Sequence, residues 1–107
     1  MPIIRIDWDD EKLSKDEILT LSNAIQKIVS EITKIEDVFV YANSSQIKVK
    51  IAPIEIFVEM SAHKIKDQDE LIVAIKTKLS AWKKKSAFHH PINLTLIPMN
   101  WKIEIGI

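Results

Sequence analysis

The sequence predicts an α+β domain built from two βαβ units, and three observations carry that reading. Apolar residues alternate in several short runs and recur at helical spacing in two longer ones. The pattern occurs twice, at a nearly constant offset. The length, 107 residues, suits one domain with a single core, residues 1–107. The first half runs Pro2-Ile-Ile-Arg-Ile-Asp, then Asp16-Glu-Ile-Leu, then Asp37-Val-Phe-Val-Tyr-Ala. The second runs Pro53-Ile-Glu-Ile-Phe-Val, then Asp69-Glu-Leu-Ile, then Pro91-Ile-Asn-Leu-Thr-Leu-Ile, at offsets of 51, 53 and 54 residues. Two helices on one face of a four-stranded sheet follow from this order of elements.

The first strand carries Ile4, Ile6 and Trp8 on one face and Ile3, Arg5 and Asp7 on the other. Pro2 opens it, where a missing N–H removes nothing from the ladder. The first helix is announced by Ser14 as N-cap with Glu17 as its capping-box partner. Its stripe is Ile18, Leu21, Ile25, Ile28, Val29 and Ile32. Val38 and Val40 share a face of the second strand, with Phe39 and Tyr41 opposite. Residues 46–51 alternate Lys48 and Lys50 with apolar neighbours and read as a short accessory strand. Ile54, Ile56 and Val58 form the inner face of the third strand, and Phe57 and Glu59 the outer.

The second helix starts near Asp67 or Asp69 and carries Leu71, Ile75, Leu79 and Trp82. Lys83, Lys84 and Lys85 close it, where cations suit the helix macrodipole. The fourth strand places Thr95 and Ile97 outward. A last accessory strand, 101–107, puts Trp101, Ile103, Ile105 and Ile107 on one side, an open edge unless another subunit pairs with it. The sheet face without helices therefore holds Ile3, Phe39, Tyr41, Phe57 and Ile97, an apolar patch that calls for a partner. We read these features as those of a homo-oligomer.

Composition removes several function classes. Fifteen basic and fifteen acidic side chains cancel, leaving no bulk electrostatic case for nucleic acid or an anionic membrane. No run is long enough to span a bilayer. Arg5, Asp7, Asp9 and Asp10 break any signal-peptide core, so a cytoplasmic location is expected. The chain has no cysteine, hence no disulfide, thiol nucleophile or thiolate metal site. A single glycine, Gly106, excludes the glycine-rich phosphate cradles and with them nucleotide cofactors of those types. His89 and His90 point opposite ways in an extended segment before Pro91, so no metal site is expected. The reading needs no cofactor.

A strand beginning at Pro2, a duplicated βαβ unit of this size and spare short strands together resemble the tautomerase superfamily, over essentially the whole chain. "FVEMSAHKIKDQDELIVAI" followed by "INLTLIPM" is similar to an uncharacterised tautomerase-like family, and "FVEM" also resembles the 5-carboxymethyl-2-hydroxymuconate isomerase branch. "TKIEDVFVYA" resembles the segment after the first helix in the macrophage migration inhibitory factor branch, where a lysine lines the active site; Lys34 takes that place. "IPMN" resembles that branch's last strand and points to Asn100 at a neighbouring subunit's pocket. The resemblance implies a homotrimer with active sites between subunits. One departure concerns the substrate carboxylate. The 4-oxalocrotonate tautomerase branch reads it with an arginine in its second strand, and the aligned residue here is Phe39. Arg5 is the only arginine in the chain, so bidentate capture falls to it or gives way to lysines.

With Met1 removed, Pro2 would be a secondary amine in an apolar setting with Lys34 or Lys102 nearby, conditions that favour its neutral form. Such an amine can take a proton α to a carbonyl and return it at a conjugated carbon. The expected site is therefore Pro2 as general base, with Lys34, Asn100 and Arg5 binding a small keto or enol acid. Two alternatives stay open: a catalytically inactive oligomer of the same fold serving as a binding or assembly module, and a ferredoxin-like βαβ dimer to which Pro2 is irrelevant.

Overall fold

Each half of the sequence folds as strand, helix, strand in the computed structural model, which describes residues 1–107. The elements are β1 (Ile3–Trp8), α1 (Lys15–Thr33), β2 (Phe39–Asn43), β3 (Ile54–Ser61), α2 (Gln68–Lys85) and β4 (Asn93–Met99), with a short 3-10 turn at Ala62–Lys64. The sheet order is β2-β1-β3-β4. β1 pairs parallel with β2 and β3 parallel with β4, each across its own helix. The two units meet through the antiparallel β1–β3 pair, in which Ile3 faces Glu59 and Ile6 faces Ile56.

The α+β class and the two-unit architecture are thus as the sequence predicts. α1 begins where the capping box places it: the Ser14 hydroxyl accepts from the Glu17 amide, and Glu17 Oε1 accepts from the Ser14 amide. Asp67 caps α2 by accepting from the Glu70 amide at 3.1 Å, and Lys83 to Lys85 occupy its last turn. The core lies between the helices and one sheet face. Ile4, Ile6, Ile54, Ile56 and Val58 are completely buried there against Leu21, Ile25 and Val29 of α1 and Ile75 of α2. Burying each such side chain stabilises the fold by about 1.5–3 kcal/mol.

Two segments expected as accessory strands differ. Residues 46–51 and 101–107 carry no strand pairing. A strand exists only through its ladder, and neither segment meets an open sheet edge in the single chain. Residues 46–51 are instead held as a loop by Lys48, whose Nζ binds Asp9 Oδ1 at 3.1 Å and also Asp10. The Asp9 amide donates to the Pro53 carbonyl at 3.0 Å, closing the same loop. No helix is long and apolar enough to cross a membrane.

Candidate active site

Pro2 precedes β1 with its side chain fully buried. Its carbonyl accepts from the Phe39 amide at 3.2 Å, holding it in line with the strand. Continuing the β1–β3 register one step puts Pro2 opposite Met60, which is itself buried. Met60 lies in the wall of a cavity of about 530 Å³ between the end of α1, the end of β3 and the start of α2. The apolar part of that wall is Ile32, Ile35, Met60, Ile65, Leu71 and Ala74. The polar part is Thr33, Lys34, Lys64, Lys66, Asp67 and Glu70.

Topology explains the convergence. In a βαβ unit the helix returns antiparallel to its strand, so the end of α1 lies over the beginning of β1. β3, antiparallel to β1, ends at that same edge. Lys34 reaches the cavity from the C-cap of α1, where its backbone is left-handed with φ 60° and ψ 29°. The turn is tied by two hydroxyls: Ser30 donates to the Ile35 carbonyl and Thr33 to the Val29 carbonyl, both at 2.7 Å.

The sequence-derived site residues divide between two places. Lys34 lines the cavity and Pro2 neighbours its wall. Asn100 follows β4 directly, so it sits at the same end of the sheet, exposed and outside the cavity lining. Arg5 lies on the face away from the helices. Its Nη1 donates to Glu59 Oε1 at 2.8 Å, its Nε is 3.8 Å from Asp7 Oδ2, and its guanidinium stacks 4.6 Å over the Phe57 ring. Arg5 is not brought together with the others. Sequence reasoning did not single out Lys64 and Lys66. The available signal was "HKIKD", a pair of lysines around Ile65 immediately before the α2 cap.

Two histidines are engaged by polar partners. His90 Nε2 lies 2.7 Å from Glu17 Oε2, and His63 Nδ1 lies 2.6 Å from the Ser61 hydroxyl. The Ser14 amide, then His90, holds the Glu17 carboxyl below its ordinary value. No three His, Cys, Asp or Glu side chains converge in metal-binding geometry.

No family model matches the sequence, and a comparison with curated proteins gives no match. Solved structures do match. A malonate semialdehyde decarboxylase superposes with a TM-score of 0.71 over 98% of this chain and 92% of that one, at 11% identity. A 5-carboxymethyl-2-hydroxymuconate delta-isomerase gives 0.68 over 99% and 89%, also at 11%. A fused 4-OT, solved as an asymmetric trimer, gives 0.67 over 94% and 91%, again at 11%. The chain shares its fold with these structures. At such identity the likeness is one of fold. Tautomerase- and isomerase-type enzymes are its structural neighbours.

Proposed function

We propose that this tautomerase-fold protein is an isomerase that shifts a proton on a keto or enol acid, with the Pro2 amine as general base. The observation that carries this is the position of Pro2: buried, at the head of a central strand, and one register step from a half-apolar cavity. The reading requires loss of Met1, because a Pro2 nitrogen in an amide bond has no basicity. An α-amine ordinarily titrates at about 7.7–8.0. Burial and a neighbouring cation both disfavour the ammonium form. Neutral Pro2 would then remove a proton α to the carbonyl, the C–H electrons passing to the carbonyl oxygen. The resulting enolate would be stabilised by the Lys34 ammonium. The Pro2 ammonium would return the proton at a conjugated carbon, so no co-reactant is consumed.

The working form in this proposal is a homotrimer with sites between subunits, in which Asn100 reaches a neighbour's cavity. Supporting it are the uncovered sheet face, where Phe39 and Tyr41 are exposed, and the exposed Ile47, Val49, Ile103, Ile105 and Ile107 of the two unpaired segments. The second reading, an inactive assembly or binding module, is favoured by one observation: the only arginine is engaged by Glu59 rather than open at the cavity. Intact mass followed by titration of the Pro2 nitrogen decides. A chain lacking methionine whose amine titrates clearly below the ordinary α-amino range supports the isomerase and leads to a screen of keto and enol acids. Methionine retained in protein from the native host leaves the binding module.

A further inference from the structure

The neutral total hides a segregation of charge along the chain. No acidic residue falls between Glu70 and Glu104, whereas Lys76, Lys78, Lys83, Lys84, Lys85 and Lys102 all do. Five of these six lysines lie on α2. The acids of α1 stand near its ends, Asp16 and Glu17 at the start and Glu31 at the finish, with Lys27 the one charged residue between. Between the exposed sides of the two helices runs a groove of about 570 Å³. Ala24 and Ile28 of α1 and Ala81 and Trp82 of α2 form its apolar floor, and the small Ala24 and Ala81 keep it open. Lys27 enters it from α1 and Lys78 from α2, both exposed. Ala81 also lines a neighbouring hollow with Val73, Lys76 and Lys84, so the two depressions adjoin across α2.

We propose that this groove docks an acidic, amphipathic helical segment of another protein, with aliphatic side chains on the floor and carboxylates toward the lysines. Charge complementarity sets the sign of the partner: Lys27, Lys78, Lys76 and Lys84 line the two depressions against a single carboxylate, Glu31. Shape sets its class. The α1 wall runs from Thr20 to Glu31, a rise of about 17 Å or three turns, the length over which a third helix can lie along two others. A lipid surface calls for a projecting apolar row, and here only Leu19 and Val73, one on each helix, are large, apolar and exposed. A nucleic acid favours arginine forks, and the one arginine, Arg5, lies on the helix-free face of the sheet, bound to Glu59. The groove shares no residue with the cavity beside Pro2, and it stays open in any assembly made through the helix-free face.

The test is binding of a labelled peptide to the full chain in its native oligomer at about 0.15 M salt, with amide chemical shifts to locate it. The peptide has about 12 residues, leucine at every third or fourth position and glutamate elsewhere, so that its helix carries one apolar stripe. One counterpart replaces every glutamate by glutamine, and another replaces every leucine by serine. The parent peptide is expected to bind about tenfold tighter than either, the glutamates acting through two or three exposed charge pairs and the leucines through buried area. Shifts should centre on Ala24, Lys27, Lys78 and Ala81. Lys27→Glu/Lys78→Glu should weaken the parent peptide about tenfold and leave the glutamine peptide within about threefold. Lys27→Arg/Lys78→Arg should keep full binding, as should Lys12→Glu/Lys50→Glu, which makes the same change in net charge on exposed loops elsewhere. No binding of the parent peptide, equal binding of the serine counterpart, or binding that survives the reversal at Lys27 and Lys78 overturns the proposal. A DNA duplex or a phosphatidylserine vesicle that binds as tightly as the parent peptide also overturns it, since the apolar floor would then play no part. None of these outcomes depends on Pro2 or on turnover.

Discussion

Lys34 occupies a left-handed backbone position that glycine or asparagine normally fills at a helix end. For a side-chain-bearing residue that geometry costs about 1–2 kcal/mol. The cost is accepted at a position that delivers an ammonium group to the cavity. Lys34→Gly should therefore raise the unfolding free energy by about 1 kcal/mol, read as a higher urea midpoint. The same variant should lose affinity for a keto or enol acid found in the screen. Gain of stability with loss of binding marks a functional residue. A fall in both would make Lys34 structural.

A second prediction at this scale concerns pH. The Glu11 amide and then Lys48 hold Asp9 below its ordinary value, Lys48 does the same for Asp10, and Glu17 is held down by the Ser14 amide and His90. Lys48 is raised in return by Asp10 and Asp9. A lowered carboxyl contributes stability above its unfolded value of about 4, lost as pH falls through its folded value. A raised lysine contributes fully below about 10.4 and loses that contribution as pH rises through its folded value. Stability should be flat between these limits and decline on both sides. Lys48→Met should remove the alkaline decline and flatten the acid one, leaving the Glu17 part and the part of Asp9 held by the Glu11 amide; urea midpoints across the range check this. The Lys48 partners were not legible in the sequence, because Lys48 and Asp9 are 39 positions apart and only the folded loop joins them, whereas the Ser14–Glu17 half of the second group was.

At the scale of elements, the sequence carried most of the information. Helix stripes and strand alternation depend on neighbours within a few positions, so α1 and its capping box could be placed from Ser14, Glu17, Ile18 and Leu21 alone. The accessory strands could not, because 46–51 has strand alternation without a ladder in its own chain. The cavity was half legible. Lys34 follows a helix whose end is visible, whereas Lys64 and Lys66 gain meaning only when antiparallel β3 carries them to the same edge as Pro2. α1 supplies most of the helical side of the core, and Ile25 sits at its centre, completely buried. Ile25→Ala should cost about 2–5 kcal/mol in chemical denaturation. Ser14→Ala should cost about 1 kcal/mol by removing one half of the capping box. A near-zero effect at Ile25 would mean that the core is not organised around α1.

For the whole molecule the decisive quantity is the subunit count. The helix-free face carries Ile3, Phe39, Tyr41, Phe57 and Ile97, interrupted by Arg5 and its ion pairs with Glu59 and Asp7. In the proposed trimer this face is where another copy of the chain would pack. The exposed loop residues offer a clean way to test whether a second copy is bound. Ile47 is 90% exposed and Val49 101% exposed, so neither contributes to the core of the single chain. Ile47→Asp/Val49→Asp should leave helix content and secondary structure unchanged, because only solvent is displaced. If these side chains insert into a neighbour, two buried unpaired carboxylates will break the assembly. Light scattering of the parent protein should give three times the chain mass of 12.3 kDa, and the variant should fall to a single chain. A parent that is itself monomeric, or a variant that keeps the full assembly mass, would remove the shared-site trimer. A parent at twice the chain mass would point instead to two sheets packed face to face.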